Sequence, residues 1–482
     1  MRSFPVLFFF AAPLLSAQLD MARDVLFRWP GPETKAIALL TQLGAKAVVT
    51  PFSSESVAPL KAAGIVPVAE IEKFSSIAEL EKQVTAAREA GYDGVAFPAL
   101  ADEPQTRAFA AKNKGIEQFI YLKPDHIHWN IAPAHAVLRA GQWPGLRPTD
   151  ATLATASEAP WIDSNAYLVA YLRGVFPARP ALLGYRDDED AGVKKDRMLP
   201  PHSLALALAE TRATGGNVLL TVPARYREQL LEGQQRALAS WKSLAETARF
   251  LAEHTDEFRQ PVASRIGAAV GKLEDDLELV NMLHRVNATP VIFPVASLPS
   301  HLRRGLKVLV TSSIGPAGGE AKSAMAFATA GGTVLATPSG SNEKPWWVQG
   351  GAKKSKAEQE RDFYSAGKGT IVGYHDSVVD PYELALDVID ALGRRTSDLR
   401  LWSADGVVGI LHRQPDSRLT AELVNYGRPL EPDFLMRVEG IFKKATMRRP
   451  EGGTVDLKPS RRGTGTEVLV PNLQHFATIL FE

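Results

Sequence analysis

Short apolar and β-branched runs alternate with longer segments of helical period from Asp24 onward. The runs recur about every 20 to 30 residues, which is typical of repeated βα units. Eight of them are predicted to be strands, over residues 24–29, 45–52, 65–71, 92–99, 118–124, 151–159, 181–187 and 217–223.

The intervening segments are predicted to be amphipathic helices. In SSIAELEKQVTAAREAG (75–91), apolar residues recur at helical spacing and a glycine ends the segment. Eight parallel strands with crossover helices in about 240 residues have the size and rhythm of a (β/α)8 barrel. An open doubly wound sheet is the rival, but the first strand lacks a glycine-rich phosphate loop, which favours the barrel. We therefore expect an α/β chain that begins with a TIM-like barrel.

The pattern changes twice after the barrel. Residues 260–396 again alternate strands and helices and predict a smaller Rossmann-like or flavodoxin-like α/β domain, with the polar, lysine-rich segment 339–369 as a long surface loop. From residue 397 the helical period disappears, and short strands between turn residues predict a C-terminal β-sandwich over 397–482. The barrel domain is assigned to residues 18–259.

The first residues, MRSFPVLFFFAAPLLSA, are predicted to be a signal peptide spanning residues 1–17. One basic residue precedes an apolar run that ends in small residues. A buried first strand or helix is the alternative. A cleaved leader predicts a secreted or periplasmic protein without membrane insertion after cleavage.

Amino-acid composition restricts the kinds of site and ligand that the chain can have. The chain has no cysteine, which excludes disulfides, thiolate metal sites and cysteine nucleophiles. Its formal net charge is +1, so neither nucleic acid nor an anionic membrane is an expected partner. A neutral or carbohydrate ligand fits better, and no cofactor is expected.

In a (β/α)8 barrel, catalytic groups lie at the carboxyl ends of the strands. The first strand ends in Arg28 and Trp29, and the third ends near Glu70 and Glu72. Arg28, Trp29 and Glu70 are candidate substrate-binding residues, and the alternative is that one of the two glutamates begins the next helix. The fourth ends in proline, with two acids in the ADEP segment (101–104) beyond it, where Asp102 and Glu103 either contribute to a site or begin the next helix.

The fifth strand end carries a dense polar cluster, Asp125, His126, His128 and Trp129. Two histidines at i and i+2 can share one side of an extended segment and bind a metal ion. The same groups in a barrel-mouth loop also suit sugar hydroxyls and a sugar face.

The sixth predicted strand ends in Glu158, whose apolar neighbours suit it to proton donation. The alternative is a loop acid without a role. Further candidate substrate-binding residues follow this strand and the seventh: Trp161, Asp163, Asn165 and Arg186, with Asp187 as a candidate catalytic acid.

Carboxylates and tryptophans gathered at one barrel mouth are what glycoside hydrolysis requires, since one acid protonates the leaving oxygen while another attacks or activates water. Glu158 is the leading catalytic candidate, with Asp125, Asp187 or Asp102 as its partner. A catalytically inactive carbohydrate-binding or scaffold barrel would use the same residues. A metal-dependent hydrolase using Asp125 and the two histidines is a third hypothesis.

The order of domains resembles a known group. A barrel, then KVLV, AGGTVLAT and GKGTIVGY in that order, then a terminal sheet with AELVNYGRP, is similar to barrel glycosidases that carry a glutamine-amidotransferase-like domain. These include beta-galactosidases with such a trimerisation domain and hypothetical glycosyl hydrolases related to alpha-fucosidases. True amidotransferases use a cysteine nucleophile that this chain lacks, so the resemblance implies a structural second domain, as a mouth cover or a subunit contact in a homo-oligomer.

The resemblance also bears on individual residues. In such glycosidases a carboxylate commonly follows the fourth strand, in a pattern like GYDGV-x-F-D. Here GYDGVAFP matches as far as Phe97, and Pro98 occupies the place of the acid. The SEAPW segment with Glu158 looks like the acid-bearing end of the sixth strand in the related proteins.

Overall fold

The computed structural model of the chain describes residues 19–31, 34–52, 54–143, 165–185, 202–271, 273–302, 305–311, 318–338, 344–377, 379–427, 429–430 and 433–482. These residues form a closed parallel barrel, then a mixed sheet flanked by helices, then two antiparallel sheets packed together. The predicted succession of a (β/α)8 barrel, an α/β unit and a β-sandwich is thereby confirmed.

The barrel closes with its eight strands in sequence order, each parallel to its neighbours. Its strands are β1 (Val25–Arg28), β2 (Ala45–Pro51), β3 (Val66–Glu70), β4 (Gly94–Pro98), β5 (Glu117–Leu122), β6 (His135–Gly141), β7 (Leu182–Tyr185) and β8 (Asn217–Thr221). The helices of this region are α1 (Thr34–Leu43), α2 (Ser54–Ala62), α3 (Ile77–Glu89), α4 (Glu103–Lys112), α5 (Ala166–Val175), α6 (Ser203–Ala213), α7 (Ala224–Leu231), α8 (Gln235–Glu253) and α9 (Thr255–Phe258).

An apolar cluster drawn from all eight strands fills the lumen, because alternate residues of a strand point to the same side. Its strand members are Leu26, Ala47, Val49, Val68, Ala96, Phe119, Tyr121, Val137, Leu182 and Leu219. This alternation also determines which side chains reach the mouth at the carboxyl ends of the strands.

The sixth strand differs from the prediction. Residues 135–141 form β6, which pairs with β5 and β7 and closes the barrel. The strand predicted over residues 151–159 lies outside the described residues. The sequence HAVLRAG alternates apolar and polar residues too weakly to mark a strand by itself, since Arg139 is one of its inward-facing members. It is the pairing with both neighbours that makes this segment a strand.

The second sheet has the order β10-β9-β11-β12-β15-β14-β13. The first five strands in this order are parallel and correspond to the flavodoxin-like order 2-1-3-4-5. The elements are β9 (Ile266–Val270), α10 (Leu273–Arg285), β10 (Val291–Pro294), α11 (Leu298–His301), β11 (Val308–Thr311), α12 (Gly319–Thr329), β12 (Thr333–Ala336), α13 (Trp346–Gln349), β13 (Lys353–Ala357), β14 (Arg361–Ala366), β15 (Gly369–Tyr374) and α14 (Pro381–Leu392).

The long surface loop predicted over residues 339–369 is wrong for much of its length. Residues 353–366 form the antiparallel hairpin β13–β14, which extends the sheet at its edge. All five residues of β13 are exposed, so this strand carries no hydrophobic alternation that could reveal it in the sequence.

The C-terminal sandwich packs a four-stranded sheet, β16-β19-β23-β22, on a five-stranded sheet, β17-β18-β24-β20-β21. The strands are β16 (Leu399–Trp402), β17 (Val407–Arg413), β18 (Leu419–Asn425), β19 (Phe434–Glu439), β20 (Ala445–Arg448), β21 (Thr454–Leu457), β22 (Ser460–Arg462), β23 (Gly465–Val470) and β24 (Phe476–Phe481).

Both later units pack on the helical wall of the barrel. Gly174 of α5 lies so close to β10 that an added Cβ would be 2.5 Å from the Ile292 carbonyl oxygen. Helix α6 contacts β18 of the sandwich. Among the helices of the described ranges, none is long and apolar enough to cross a membrane.

Candidate active site

A buried ion pair occupies the mouth of the barrel. Arg28 and Glu70 lie two residues beyond the lumen residues Leu26 and Val68, so both point inward at the carboxyl ends of their strands. The Arg28 Nε donates to both carboxylate oxygens of Glu70, at 2.7 and 2.8 Å. The two residues are only 8% and 5% exposed.

Tyr121 of β5 completes this cluster. Its hydroxyl donates to Glu70 Oε1 at 2.8 Å. Burial, followed by the negative charge of Glu70, raises the pKa of Tyr121 well above 10, so the phenol stays a donor. The Arg139 guanidinium of β6 lies 5.1 Å from the centre of the Tyr121 ring. Four strands thus contribute to one charged layer above the apolar lumen.

A second carboxylate shares the same arginine. Arg28 Nη2 donates to Glu72 Oε1 at 2.7 Å, and the Glu72 side chain is 59% exposed. Glu70 accepts hydrogen bonds from a guanidinium and a phenol, so both of its carboxylate oxygens already have donors. Glu72 is the carboxylate that solvent or a ligand can reach.

Pro98 lies in the same layer. It follows the lumen residue Ala96 by two positions and pairs in register with Tyr121. The inward position at the end of β4 therefore carries no acid, which agrees with the departure seen in the sequence.

The two acids that follow Pro98 lie at the start of α4. Asp102 caps the helix, with Oδ1 accepting from the Gln105 amide at 2.8 Å. Glu103 Oε1 accepts from the Asn130 amide at 3.2 Å. Helix capping was the alternative that the sequence left open for ADEP, and it is the arrangement found.

The Asp-His-x-His cluster does not converge on one point. Asp125 is exposed at the rim, and the His126 ring stacks on Trp129 at 3.9 Å. The His128 ring faces Tyr171 of α5 instead. In the parts of the chain that the structure describes, no three metal-ligating side chains gather in one place, so these residues offer no support for the metal-dependent hypothesis.

The crossover that contains this cluster packs on the helical wall. Arg179, which follows α5, donates to the carbonyl oxygens of Ile127 and Trp129 at 3.1 and 2.9 Å. The short connection between β5 and β6, residues 123–134, holds only a single helical turn. His128 therefore lies against α5, and the backbone of Trp129 is bound by the segment that follows α5.

Trp29 was predicted to bind substrate, and the structure corrects this. Its side chain is 0% exposed and packs edge-on against Trp241 of α8, with ring centroids 5.8 Å apart. Trp29 follows the inward-pointing Arg28 and so points outward, into the core between barrel and helices. It cannot contact a ligand.

Asn165 was also predicted to bind substrate, and it is 2% exposed. Its backbone amide and Nδ2 donate to the two carboxylate oxygens of Glu210, at 2.8 and 2.6 Å. Glu210 also accepts from the hydroxyls of Tyr185 and Tyr426, the latter at 2.7 Å. Glu210 therefore links α6 to Tyr426 beside the sandwich, and Asn165 holds the Glu210 carboxylate in place.

Several predicted site residues lie outside the described residues: Glu158, Trp161, Asp163, Arg186 and Asp187. In sequence, Glu158 comes between β6 and α5, and Arg186 and Asp187 directly follow β7. Of the residues that the structure does describe at the mouth, the sequence identified Arg28, Glu70 and Glu72 but missed Tyr121 and Arg139. The period-2 alternation of β5 could have revealed Tyr121, since it follows Phe119 by two positions.

The fold belongs to a class found among glycoside-cleaving enzymes. No family model matches the chain, and no curated protein sequence matches it. Solved structures of glycosidases, however, share its arrangement over nearly the whole chain, which confirms at the level of the fold the resemblance predicted from the sequence.

Three solved structures illustrate this similarity. A beta-galactosidase from Bacillus circulans sp. alkalophilus has a TM-score of 0.60 at 9% identity, covering 95% of this chain and 99% of that one. Alpha-L-fucosidase isoenzyme 2 from Paenibacillus thiaminolyticus has a TM-score of 0.57 at 11% identity, with coverage of 95% and 99%. A catalytic mutant of Gan42B, a GH42 beta-galactosidase from G. stearothermophilus, has a TM-score of 0.56 at 8% identity, with coverage of 95% and 98%.

Proposed function

We propose that this chain is a glycoside hydrolase that cleaves an oligo- or polysaccharide at the mouth of its barrel. The observation that carries the proposal is the inward carboxylate of Glu70, held by Arg28 and Tyr121 at the carboxyl ends of the strands. This is the position of active sites in barrel enzymes. The fold shared with beta-galactosidases and an alpha-L-fucosidase supports a carbohydrate substrate.

The chemistry requires a proton donor and a second carboxylate. Glu158 remains our candidate for the donor, because the sequence gives it apolar neighbours and a place in the connection after β6. Asp187 and Asp125 remain candidate partners, whereas Asp102 is the weaker one because it caps α4. Glu70 adds a fixed negative charge that can stabilise an oxocarbenium-like transition state.

A catalytically inactive saccharide-binding barrel is the second candidate. Pro98 favours it, because this chain has no carboxylate at the end of β4 where the related glycosidases commonly carry one. The saturation of Glu70 with hydrogen-bond donors favours it as well. Both candidates predict saccharide binding, and only the first predicts turnover.

The test is a screen of the purified chain against chromogenic glycosides and against plant and microbial polysaccharides. We expect Glu158→Gln to lower turnover by about 10²- to 10⁴-fold while circular dichroism stays unchanged. Glu70→Gln should lower it too, and Glu89→Gln, an exposed residue on α3, is the matched control. Full activity in Glu158→Gln would overturn that assignment, and saccharide binding without turnover would favour the inactive barrel.

We also propose export through the apolar leader and a structural role for the α/β unit, including contacts between copies. Expression with the native leader followed by N-terminal sequencing tests the first idea, with Gln18 expected near the new terminus. Light scattering after size exclusion tests the second. An uncleaved chain contradicts export, and a monomer at all concentrations contradicts the subunit contact.

A further inference from the structure

A polar cavity of about 560 Å³ opens at the end of the barrel opposite the mouth. Its walls come from segments that directly precede strands: residues 19–22 before β1, Ala181 before β7, and Gly215 and Gly216 before β8. The cavity is therefore separate from the candidate active site at the carboxyl ends of the strands.

Three arginines line this cavity: Arg173, Arg179 and Arg259. Among the described residues that line it, Asp20 is the one acidic side chain. The wall therefore carries an excess of positive charge although the whole chain is nearly neutral, with a formal net charge of +1.

Within the described ranges, two of these guanidinium groups bond to backbone carbonyl oxygens and to no carboxylate. Arg173 donates to the carbonyl oxygens of Thr214 and Arg259, at 2.6 and 3.0 Å. Arg179 donates to the carbonyl oxygens of Ile127 and Trp129, at 3.1 and 2.9 Å. Carbonyl oxygens satisfy N–H groups but do not neutralise the charge.

Burial disfavours the charged form of the Arg173 and Arg179 guanidinium groups. Burial, followed by the positive charge of Arg259, lowers the pKa of Arg173 to about 10. Burial also lowers the pKa of Arg179 to about 10. An anion in the cavity would reverse both effects, because an opposite charge stabilises the protonated guanidinium.

The backbone around Arg173 is arranged to receive it. A Cβ added at Gly215 would overlap the Arg173 guanidinium, and Gly215 has a φ of +76°. Only glycine combines this backbone conformation with space for the arginine. The position of the charge is therefore built into the loop that precedes β8.

The Arg259 side chain, unlike those of Arg173 and Arg179, does not bind neighbouring loops that the structure describes. It is exposed, and its side chain makes no hydrogen bond or ion pair with the part of the chain that the structure describes. An arginine has five N–H donors arranged to fit planar or tetrahedral oxyanions. Beside Arg173, these donors are available to a ligand.

We propose that this cavity is a second ligand site, which binds a carboxylate, sulfate or phosphate group through Arg259 and Arg173. The site is independent of the proposed hydrolysis at the mouth. An acidic saccharide and a free inorganic anion share the oxyanion that the arginines recognise, and the test separates them.

The experiment is calorimetric titration of the full chain at low ionic strength with sodium sulfate, sodium phosphate, glucuronate and, as a neutral control, glucose. We expect saturable oxyanion binding in the millimolar range that weakens as salt is added. Binding by glucuronate but not by sulfate or phosphate would identify an acidic saccharide, and binding by all three a general oxyanion site. Equal binding of glucose, or no saturable binding of any anion, overturns the proposal.

Substitutions at Arg259 locate the site, since among the described residues this side chain has no partner whose loss would disturb folding. Arg259→Gln should weaken anion binding at least about tenfold. Arg259→Glu should abolish binding and raise the apparent Tm, because the new carboxylate takes the place of the anion beside Arg173. Arg395→Gln, an exposed arginine that follows α14, is the control and should bind as the unchanged chain does. Unchanged affinity in Arg259→Gln would refute the assignment.

Discussion

The carboxyl group of Glu210 gives a prediction that the structure makes quantitative. Burial raises the pKa of this group from 4.5 to about 7, although hydrogen bonds from Tyr185, Asn165 and Tyr426 oppose the change. Each pKa unit corresponds to about 1.4 kcal/mol, so ionising Glu210 in the folded state costs about 3 kcal/mol relative to the unfolded chain. Between pH 4.5 and about 7 the folded chain binds more protons at Glu210 than the unfolded chain does. The protonated Glu210 therefore contributes its full stabilisation of the fold below pH 4.5, and this stabilisation is lost as the pH rises through 7.

Glu210→Gln removes the titration but introduces a mismatch. The two carboxylate oxygens accept from Asn165 Nδ2 and from the Asn165 amide, at 2.6 and 2.8 Å. Whichever oxygen the glutamine NH2 replaces, it faces a nitrogen donor. Asn165 cannot flip to avoid this, because its side chain exchanges hydrogen bonds with both backbone groups of Gln142. A buried unsatisfied donor costs about 1–3 kcal/mol.

We therefore expect Glu210→Gln to be less stable than the unchanged chain by about 1–3 kcal/mol at pH 5. This difference in the free energy of unfolding should vanish or change sign at pH 8, because only the unchanged chain loses the contribution of Glu210. Equilibrium urea unfolding followed by tryptophan fluorescence, at several pH values between 5 and 8, measures this gap.

The difference between the two chains is the informative quantity, because buried histidines change stability in the opposite direction. Burial lowers the pKa of His284 and of His475 to about 4, so both destabilise the fold as the pH falls from 6.5. The contributions of the two histidines cancel when the free energy of unfolding of the variant is subtracted from that of the unchanged chain. Glu89→Gln should follow the unchanged chain at every pH. A gap between Glu210→Gln and the unchanged chain that stays constant from pH 5 to pH 8 would refute the reasoning.

Three further predictions concern packing and ion pairs. Burial opposes the ionisation of Glu257, but hydrogen bonds with His254 and Arg448 lower its pKa to about 2. Glu257→Gln should therefore lower the free energy of unfolding by up to about 3 kcal/mol at pH 7 and by less as the pH falls from 4.5 towards 2, which unfolding measured at pH 7 and near pH 2 checks. Trp29→Ala should lower stability by about 3–5 kcal/mol in urea unfolding without a selective loss of saccharide binding, whereas such a selective loss would restore Trp29 as a ligand contact. Gly174→Ala should cost about 1–3 kcal/mol by thermal unfolding, because its Cβ would be 2.5 Å from the Ile292 carbonyl oxygen, and an unchanged Tm would show that α5 and β10 can move apart.

Much of the candidate site could be found from strand periodicity. Arg28 and Glu70 close predicted strands, and both point into the mouth because residues two positions before them fill the lumen. The same rule fails for Trp29, which follows Arg28 by one position and so faces the opposite side. Position along the chain alone does not distinguish a strand-end residue that faces the mouth from one that faces the helices.

The amino-acid sequence by itself determined the succession of a barrel, an α/β unit and a β-sandwich, because hydrophobic period and turn residues are local properties. Seven of the eight predicted barrel strands coincide with strands of the closed barrel. The sixth, at 135–141, and the exposed hairpin β13–β14 depend on hydrogen bonds to strands that are distant in sequence. The pairing of Arg28 with Glu70 and Tyr121, the burial of Trp29 and Asn165, and the collection of three arginines behind the barrel were decided only by the tertiary structure. Each of these brings together residues from different strands or loops, and a local pattern carries no information about which of them meet.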